Sequence, residues 1–384
     1  MLFRQLNRHW NRVSQTSRAW GNQEMDIDTV LVTRSGGLHT LDSFRHCIAH
    51  LKINNRWGGT IEKVLCKLSE FDSAALKAIH LVIGWTFTPQ TYDYPLQLLM
   101  KASTAYPKLL LKVKEITVMP TVAAILDKSF ISLLASNCPN LHSLFITSEM
   151  SSSLQCFSQT NVSHFGILQN LTLLDLNLSC NGFITDDSLN NLLQSLNRLA
   201  ELHIRGCVSL TGWKFVNEKA SIVHLGLECT KKDSFKVFQL FQTNQTIEHL
   251  TLYGDEYDAR ALQYICKYSP ANLRTLTMDS LRVGDGDLDC RYGNGVEIQN
   301  RSENGNCMRD TFSQMQYLIQ LRFLCVSFAS SGVRVHWLFE ELFRCKSLKT
   351  IIIDEIGQSW WTCKEVDQWE ECLRRRKGIL LKLR

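Results

Sequence analysis

Glu201, His203, Arg205, His224, Glu228 and His249 are the residues of this 384-residue chain whose types and spacing could do chemistry. Imidazoles beside carboxylates can ligate a metal, relay a proton, or hold a charged group of a partner. Glu201, His224 and His249 follow one another at 23 and 25 positions, and His203 comes two residues after Glu201. No single helix or turn spans such distances, so a larger repeating element must bring these residues together.

Other candidate chemistry is thin. The chain holds no G-x-x-x-x-G-K-[ST], no G-x-S-x-G and no H-E-x-x-H, and no enzymatic activity is expected. Asp285-Gly286-Asp287-Leu288-Asp289 has the look of a calcium loop, but Cys290 and Val296 stand where an EF-hand loop requires Gly and Glu. It reads as a solvated acidic turn. The fourteen cysteines include no C-x-x-C pair, and the closest two, Cys363 and Cys372, are nine apart, which argues against zinc. They read as reduced thiols of an intracellular protein. No metal and no cofactor are expected.

The positioning element is a short apolar spacing: an aliphatic, two residues of any kind, an aliphatic, one of any kind, an aliphatic. The clearest copies are Leu171-x-x-Leu174-x-Leu176, Leu199-x-x-Leu202-x-Ile204, Ile222-x-x-Leu225-x-Leu227, Ile247-x-x-Leu250-x-Leu252 and Leu273-x-x-Leu276-x-Met278. Their first residues lie 28, 23, 25 and 26 positions apart. Looser copies begin at Ile27, Ile48, Leu76, Val113, Leu141, Leu321 and Leu348. A fixed period of this length marks a solenoid and resembles that of leucine-rich repeats.

Between strands, Thr185 to Leu196 reads as a capped helix with Leu189, Leu192, Leu193 and Leu196 on one face. Strands at about 4.8 Å and helices at about 8–10 Å cannot stack at one radius. The expectation is therefore an α/β right-handed horseshoe, with a parallel concave sheet inside, helices outside and right-handed connections. The solenoid is placed at 27–356 with about twelve repeats. From Leu273 to Leu321 the spacing stretches to 48 residues, and 284–310 reads as an inserted loop.

Because side chains alternate along a strand, the residues between the aliphatics face the concave side. In the central repeats one column reads Ser143, Leu173, Glu201, His224, His249, Thr275. The next reads Phe145, Asp175, His203, Gly226, Thr251, Thr277, and the third Thr147, Asn177, Arg205, Glu228, Tyr253, Asp279. Arg205 and Glu228 sit in one column on successive strands and are expected to pair. Asp175, Asn177, Glu201, His203, Arg205, His224, Glu228, His249 and Tyr253 form the candidate protein-substrate surface. A polar face of this kind is more often recognition or solvated surface than a metal site.

With 45% hydrophobic and 21% charged residues the chain is globular. A net charge of +5 with one dense basic run, Arg374–Lys377, does not suit a nucleic-acid binder. That run reads as a solvated helix end, with nuclear import as its alternative. No apolar run is long enough to span a bilayer and no export signal is visible at the start of the chain. A cytoplasmic or nuclear location is expected, with no membrane and no nucleic acid as partner. Residues 357–384, with Trp360, Trp361 and Trp369, are expected to form a helical cap and basic tail.

The first 26 residues fall outside the repeat. Phe3, Leu6, Trp10 and Val13 line one face of an amphipathic helix, as a solenoid cap would. Leu6-x-x-x-Trp10-Asn11-Arg12-Val13-Ser14, followed by Ala19-Trp20 and Met25-Asp26-Ile27, resembles the second half of an F-box. The first half, a Leu-Pro start and a helix closing in an Ile/Leu-Phe-x-x-Leu run, is absent. Cys138-Pro139-Asn140-Leu141 and the stretch from Leu202 to Thr211, with its Arg205-Gly206-Cys207, are similar to the cysteine-containing repeats of F-box/leucine-rich-repeat proteins. The resemblance implies a substrate-recognition subunit of a cullin–RING ubiquitin ligase. Phe3, Leu6, Trp10, Val13 and Trp20 would then face a Skp-type adaptor on the cullin scaffold, and the concave columns would hold a protein substrate. The alternative is an intracellular scaffold or inhibitor with no ligase link.

Overall fold

A computed structural model of the protein describes residues 24–29, 38, 41, 48–55, 61–70, 76–84, 94–119, 128–147, 164–177, 184–206, 210, 222–228, 234–253, 259–281, 313–328, 336–355 and 363–383. Phe3, Leu6, Trp10, Val13 and Trp20, the insertion 284–310, Trp360 and Trp361 lie outside the described residues. The chain divides into two compact units, Met1–Ser209 with Glu218–Ala220, and Leu210–Asn217 with Ser221–Arg384. Each is an α/β, leucine-rich-repeat-like solenoid of parallel strands paired in chain order.

The first unit carries β1 (Glu24–Asp28), β2 (His50–Asn55), α1 (Ile61–Ser69), β3 (Ala78–Ile83), α2 (Tyr94–Ala105), α3 (Pro107–Leu110) and β4 (Val113–Val118). It continues with α4 (Lys128–Asn137), β5 (Ser143–Thr147), a 3-10 turn (Phe165–Ile167), β6 (Leu173–Asn177), α5 (Asp186–Ser195) and β7 (Glu201–Arg205). The second carries β8 (His224–Glu228), α6 (Ser234–Thr243), β9 (His249–Tyr253), α7 (Ala259–Tyr268), β10 (Thr275–Leu281) and a 3-10 turn (Met315–Tyr317). After these come β11 (Phe323–Phe328), α8 (His336–Arg344), β12 (Thr350–Glu355), α9 (Cys363–Lys377) and β13 (Leu380–Leu383).

The aliphatic spacing does what its period requires. Leu144, Leu174 and Leu202 are level across β5, β6 and β7, as are Ile146, Leu176 and Ile204. All six are buried, while the residues between them are half-exposed. In the second unit Leu225, Leu250 and Leu276 line up in the same way. The first aliphatic of each repeat sits just before the strand and closes a tight turn. Leu141, Leu171, Leu199, Leu273 and Leu321 each donate their amide to the carbonyl three residues back, at 2.9–3.3 Å. The next residue opens the ladder: Thr172 donates to the carbonyl of His142, and Ala200 to that of Thr172. The repeats that begin at Leu171 and Leu199 are thus tied to their predecessors before their strands begin.

Side chains add to this tie. Asn140 donates to the Leu111 carbonyl, Asn170 to that of Pro139, and Arg198 to the Asn170 side chain. Helix α5 starts where the sequence placed it, with Thr185 as N-cap in a reciprocal pair with Ser188 and with Leu189, Leu192 and Leu193 buried. That reciprocal pair satisfies two amides of the first turn that otherwise lack partners.

Three features depart from the spacing. Ile27 opens no repeat: it is level with Ile53 and Met25 is level with Leu51, so Ile27 is the last aliphatic of its copy. The copy read from the sequence, Ile27-x-x-Val30-x-Val32, runs into Val30 and Val32, which lie outside the described residues; spacings this short arise by chance in an apolar-rich chain. Between β3 and β4 the ladder shifts, pairing Ile79 with Val113 but His80 with Glu115. Leu81 is thereby level with Ile116, not with Val118. A two-residue slide keeps aliphatics inside, because the side-chain period is two, and changes only which polar residues are neighbours. Finally, the C-terminal segment holds α9 and then a thirteenth strand. Gly378, at φ +62°, turns the chain out of α9, with its amide on the Arg374 carbonyl at 2.9 Å and that of Ile379 on Leu373 at 3.2 Å.

Candidate functional site

In the first unit, β6 and β7 place Leu173 level with Glu201, Asp175 with His203, and Asn177 with Arg205. Glu201, His203 and Arg205 share one face because they alternate with the buried Leu202 and Ile204. Arg205 reaches diagonally back to β6, its Nη2 lying 2.9 and 2.7 Å from the two oxygens of Asp175. Asp175, one strand earlier, is a partner of Arg205 that sequence reasoning, which paired Arg205 with Glu228, did not find. His203 Nε2 meets Glu201 Oε1 at 2.8 Å along the same strand. The Asp175 and His203 side chains are only 14% and 15% exposed, against 28% for Arg205 and 34% for Glu201. The two inner groups are held by the two outer ones, through the Arg205–Asp175 ion pair and the His203–Glu201 hydrogen bond, so the patch is fixed before any partner arrives.

In the second unit, His224, His249 and Thr275 are level across β8, β9 and β10. The imidazoles of His224 and His249 stack, with ring centroids 3.9 Å apart and planes 21° apart. His249 Nδ1 lies 2.8 Å from Thr275 Oγ1. Glu228 is level with Tyr253 at the far end of the same face. The nearby Gly226–Thr251–Thr277 column is small, so the rings and the Glu228–Tyr253 end stand as the bulky features of this face.

A third polar row was missed at the N-terminal end of the first unit. Asp26, Lys52, His80 and Glu115 are level across β1 to β4. Lys52 Nζ lies 3.9 Å from Asp26, and His80 Nδ1 lies 3.7 Å from Glu115. His80 Nε2 meets the Thr117 hydroxyl at 2.9 Å, and its ring is tilted against Phe145 at 6.3 Å. Burial, helped by the positive charge of Lys52 and opposed by Asp26, pushes the His80 imidazole down to about 4. It is therefore a neutral ring at pH 7. Reading the columns upstream of Leu141 would have found this row, except that the slide between β3 and β4 hides the level of Glu115.

Among the described residues no three His, Cys, Asp or Glu side chains gather as a metal ion would require. Cys66, Cys138, Cys266, Cys325, Cys345 and Cys372 are free thiols. Burial pushes the Cys138 thiol up to about 12 and the Cys266 thiol up as well, so neither offers a thiolate nucleophile at neutral pH. The basic run ends α9, where Arg374 and Arg375 both contact Glu371. Among the described residues no helix is long and apolar enough to cross a membrane.

No family model matches the chain and no curated protein matches it. Its backbone is similar to a chain in the crystal structure of the Rad7 and Elc1 complex in yeast. That likeness has a TM-score of 0.48 and 14% identity, and covers 90% of this chain and 77% of the other. It is also similar to a Bacteroides fragilis protein, with a TM-score of 0.37, 10% identity, and coverage of 92% and 80%. Both likenesses concern the course of the chain and transfer no partner or activity to it.

Proposed function

We propose that this protein is a non-catalytic receptor that holds a protein partner on the open strand faces. In this reading Asp175, Asn177, Glu201, His203 and Arg205 of the first unit take one part of the partner. His224, Glu228, His249 and Tyr253 of the second take another. The observation that carries it is the construction of the β6–β7 face. One side of these strands is closed with aliphatics, while the other holds a polar cluster fixed by the Arg205–Asp175 ion pair and the His203–Glu201 hydrogen bond. Such a cluster costs little to order on binding and discriminates by charge.

We further propose that residues 1–26 dock a Skp-type adaptor and so make the protein the substrate-recognition subunit of a cullin–RING ubiquitin ligase. Support for this step is the F-box-like run from Leu6 to Ile27, with Phe3, Leu6, Trp10, Val13 and Trp20 as the docking side chains. The mechanism is proximity: lysines of a bound substrate are brought to a ubiquitin-loaded enzyme, and no residue of this chain makes or breaks a bond. The test is a titration of purified Skp-type adaptor into the full chain and into Trp10→Ala. Saturable binding that weakens at least tenfold in the variant supports the ligase step. Absence of binding ends it and leaves the scaffold or inhibitor reading.

A further inference from the structure

We propose that the turns leading into β10, β11 and β12 form a docking surface for an acidic segment of a partner protein that carries an aromatic or aliphatic anchor. The residue just before each of these strands is a cation: Arg274, Arg322 and Lys349. The main chain holds the three in a row. The Arg322 amide donates to the Arg274 carbonyl at 2.8 Å, and the Lys349 amide to the Arg322 carbonyl at 2.8 Å. Successive members are therefore about one strand spacing, roughly 4.8 Å, apart along the backbone. All three residues are exposed. Among the described residues Arg274 is paired with Glu248 at 2.7 Å, while neither Arg322 nor Lys349 has an ion-pair partner.

An exposed apolar pair lies beside this row. Tyr317 and Ile319, in the turn before β11, are each 68% exposed, whereas Leu318 between them and Leu321 after them are buried. The turn is pinned in place. The Leu318 amide donates to the Met315 carbonyl at 3.0 Å and the Leu321 amide to the Leu318 carbonyl at 3.1 Å. From the next turn, Ser347 Oγ donates to that same Leu318 carbonyl at 3.2 Å. Counted back from the paired strand starts Thr275, Phe323 and Thr350, Ile319 takes the place that Ala271 takes before β10 and Lys346 before β12. Lys346 is exposed as well. The small Ala271 leaves one flank of Ile319 open, and Lys346 sets a further cation on the other.

The corresponding turns of the first unit are built differently. Before β5, β6 and β7 the place of the cation is held by His142, Thr172 and Ala200, and that of Ile319 by Pro139, Gln169 and Asn197. Two exposed apolar side chains bordered by cations suit a ligand of the opposite build: carboxylates along a chain, with one apolar side chain among them. Covering Tyr317 and Ile319 supplies affinity. Carboxylates meeting Arg322 and Lys349 speed the encounter and turn away basic segments. The acidic side chains nearby do not compete for these cations. Glu341 is 2% exposed and held by Arg344, and Glu248 is engaged by Arg274. This surface shares no residue with the strand faces assigned above, and the inference does not rest on that reading.

Panning a random dodecapeptide phage library on the full chain, after depletion on an Ile319→Asp/Arg322→Glu variant, tests it. Enriched sequences should carry several Asp or Glu residues around a Phe, Trp, Leu or Ile. In fluorescence anisotropy the corresponding synthetic peptide should bind the wild type saturably and more weakly as salt is raised. Ile319→Ser and Arg322→Glu should each weaken it about tenfold. Both variants should melt with the wild type, since both side chains face solvent. Should either melt early, Lys349→Glu must show the same loss of binding. A single-stranded oligothymidylate of equal charge should bind about tenfold more weakly than the peptide. No enrichment, enriched sequences without acidic residues, an affinity unmoved by these substitutions, or oligothymidylate bound as tightly as the peptide overturns the proposal.

Discussion

Arg205 on β7 grips Asp175 on β6 through one guanidinium nitrogen, 2.7 and 2.9 Å from the two carboxylate oxygens. Both side chains are more than two-thirds buried, so the pair is not an ordinary surface contact. Removing one partner strands the other charge. Arg205→Met should lower the stability of the first unit by roughly 1–3 kcal/mol. Asp175→Leu in the same chain should return most of that loss. Urea midpoints of the two variants and the wild type check this, and equal losses in the single and double variants would count against the pairing.

His80 makes the first unit sensitive to acid. Its folded pKa of about 4 lies below the ordinary value of 6.5, so the unfolded chain takes up a proton that the folded chain refuses. The stability it contributes is fully present above about pH 6.5, is lost as the pH falls toward 4, and changes no further below that. The span is at most about 3 kcal/mol. In thermal melts from pH 7 to pH 4, His80→Gln should flatten this fall. A variant with the same pH profile as the wild type would mean that other groups carry it.

Leu202 is fully buried and level with the buried Leu174 of the neighbouring strand. Leu202→Asp buries a charge with no partner and should remove several kcal/mol, enough to unfold the central repeats. Circular dichroism on heating reads this directly. An unchanged melt would mean that position 202 does not face inward.

Thiol labelling distinguishes buried from exposed cysteines. Cys66 is exposed on α1, whereas Cys138 and Cys266 are buried, with their thiols pushed up in pKa by that burial. Brief iodoacetamide treatment of the native protein at pH 7.5, followed by peptide mass spectrometry, should label Cys66 and leave Cys138 and Cys266 unmodified until denaturant is added.

The sequence carried the repeat clearly wherever three aliphatics had to be buried at once. Leu174, Leu202, Leu225 and Leu250 all stand where their spacing put them. The face of each candidate was equally legible, since period-2 alternation fixes it: Glu201, His203 and Arg205 do share one face. The level of one strand against the next was less so. A slide of two residues between β3 and β4 leaves every aliphatic inside, so nothing in the spacing reveals that His80 meets Glu115. Diagonal partners were hidden for a related reason. A long guanidinium reaches past its level neighbour Asn177 to Asp175, and column reading treats only level residues as neighbours. β13 went unseen because its copy starts with Gly378, which the turn out of α9 requires at a position where other repeats carry an aliphatic.

The two-surface account is tested most directly by quantitative co-purification from cells with three forms of the full chain. The wild type should recover a Skp-type adaptor together with a set of further proteins. A His203→Ala/Arg205→Ala variant should keep the adaptor and lose a specific protein from that set. A Phe3→Ala/Trp10→Ala variant should lose the adaptor and keep that protein. Recovery of the same proteins in the same amounts by all three forms would contradict the account.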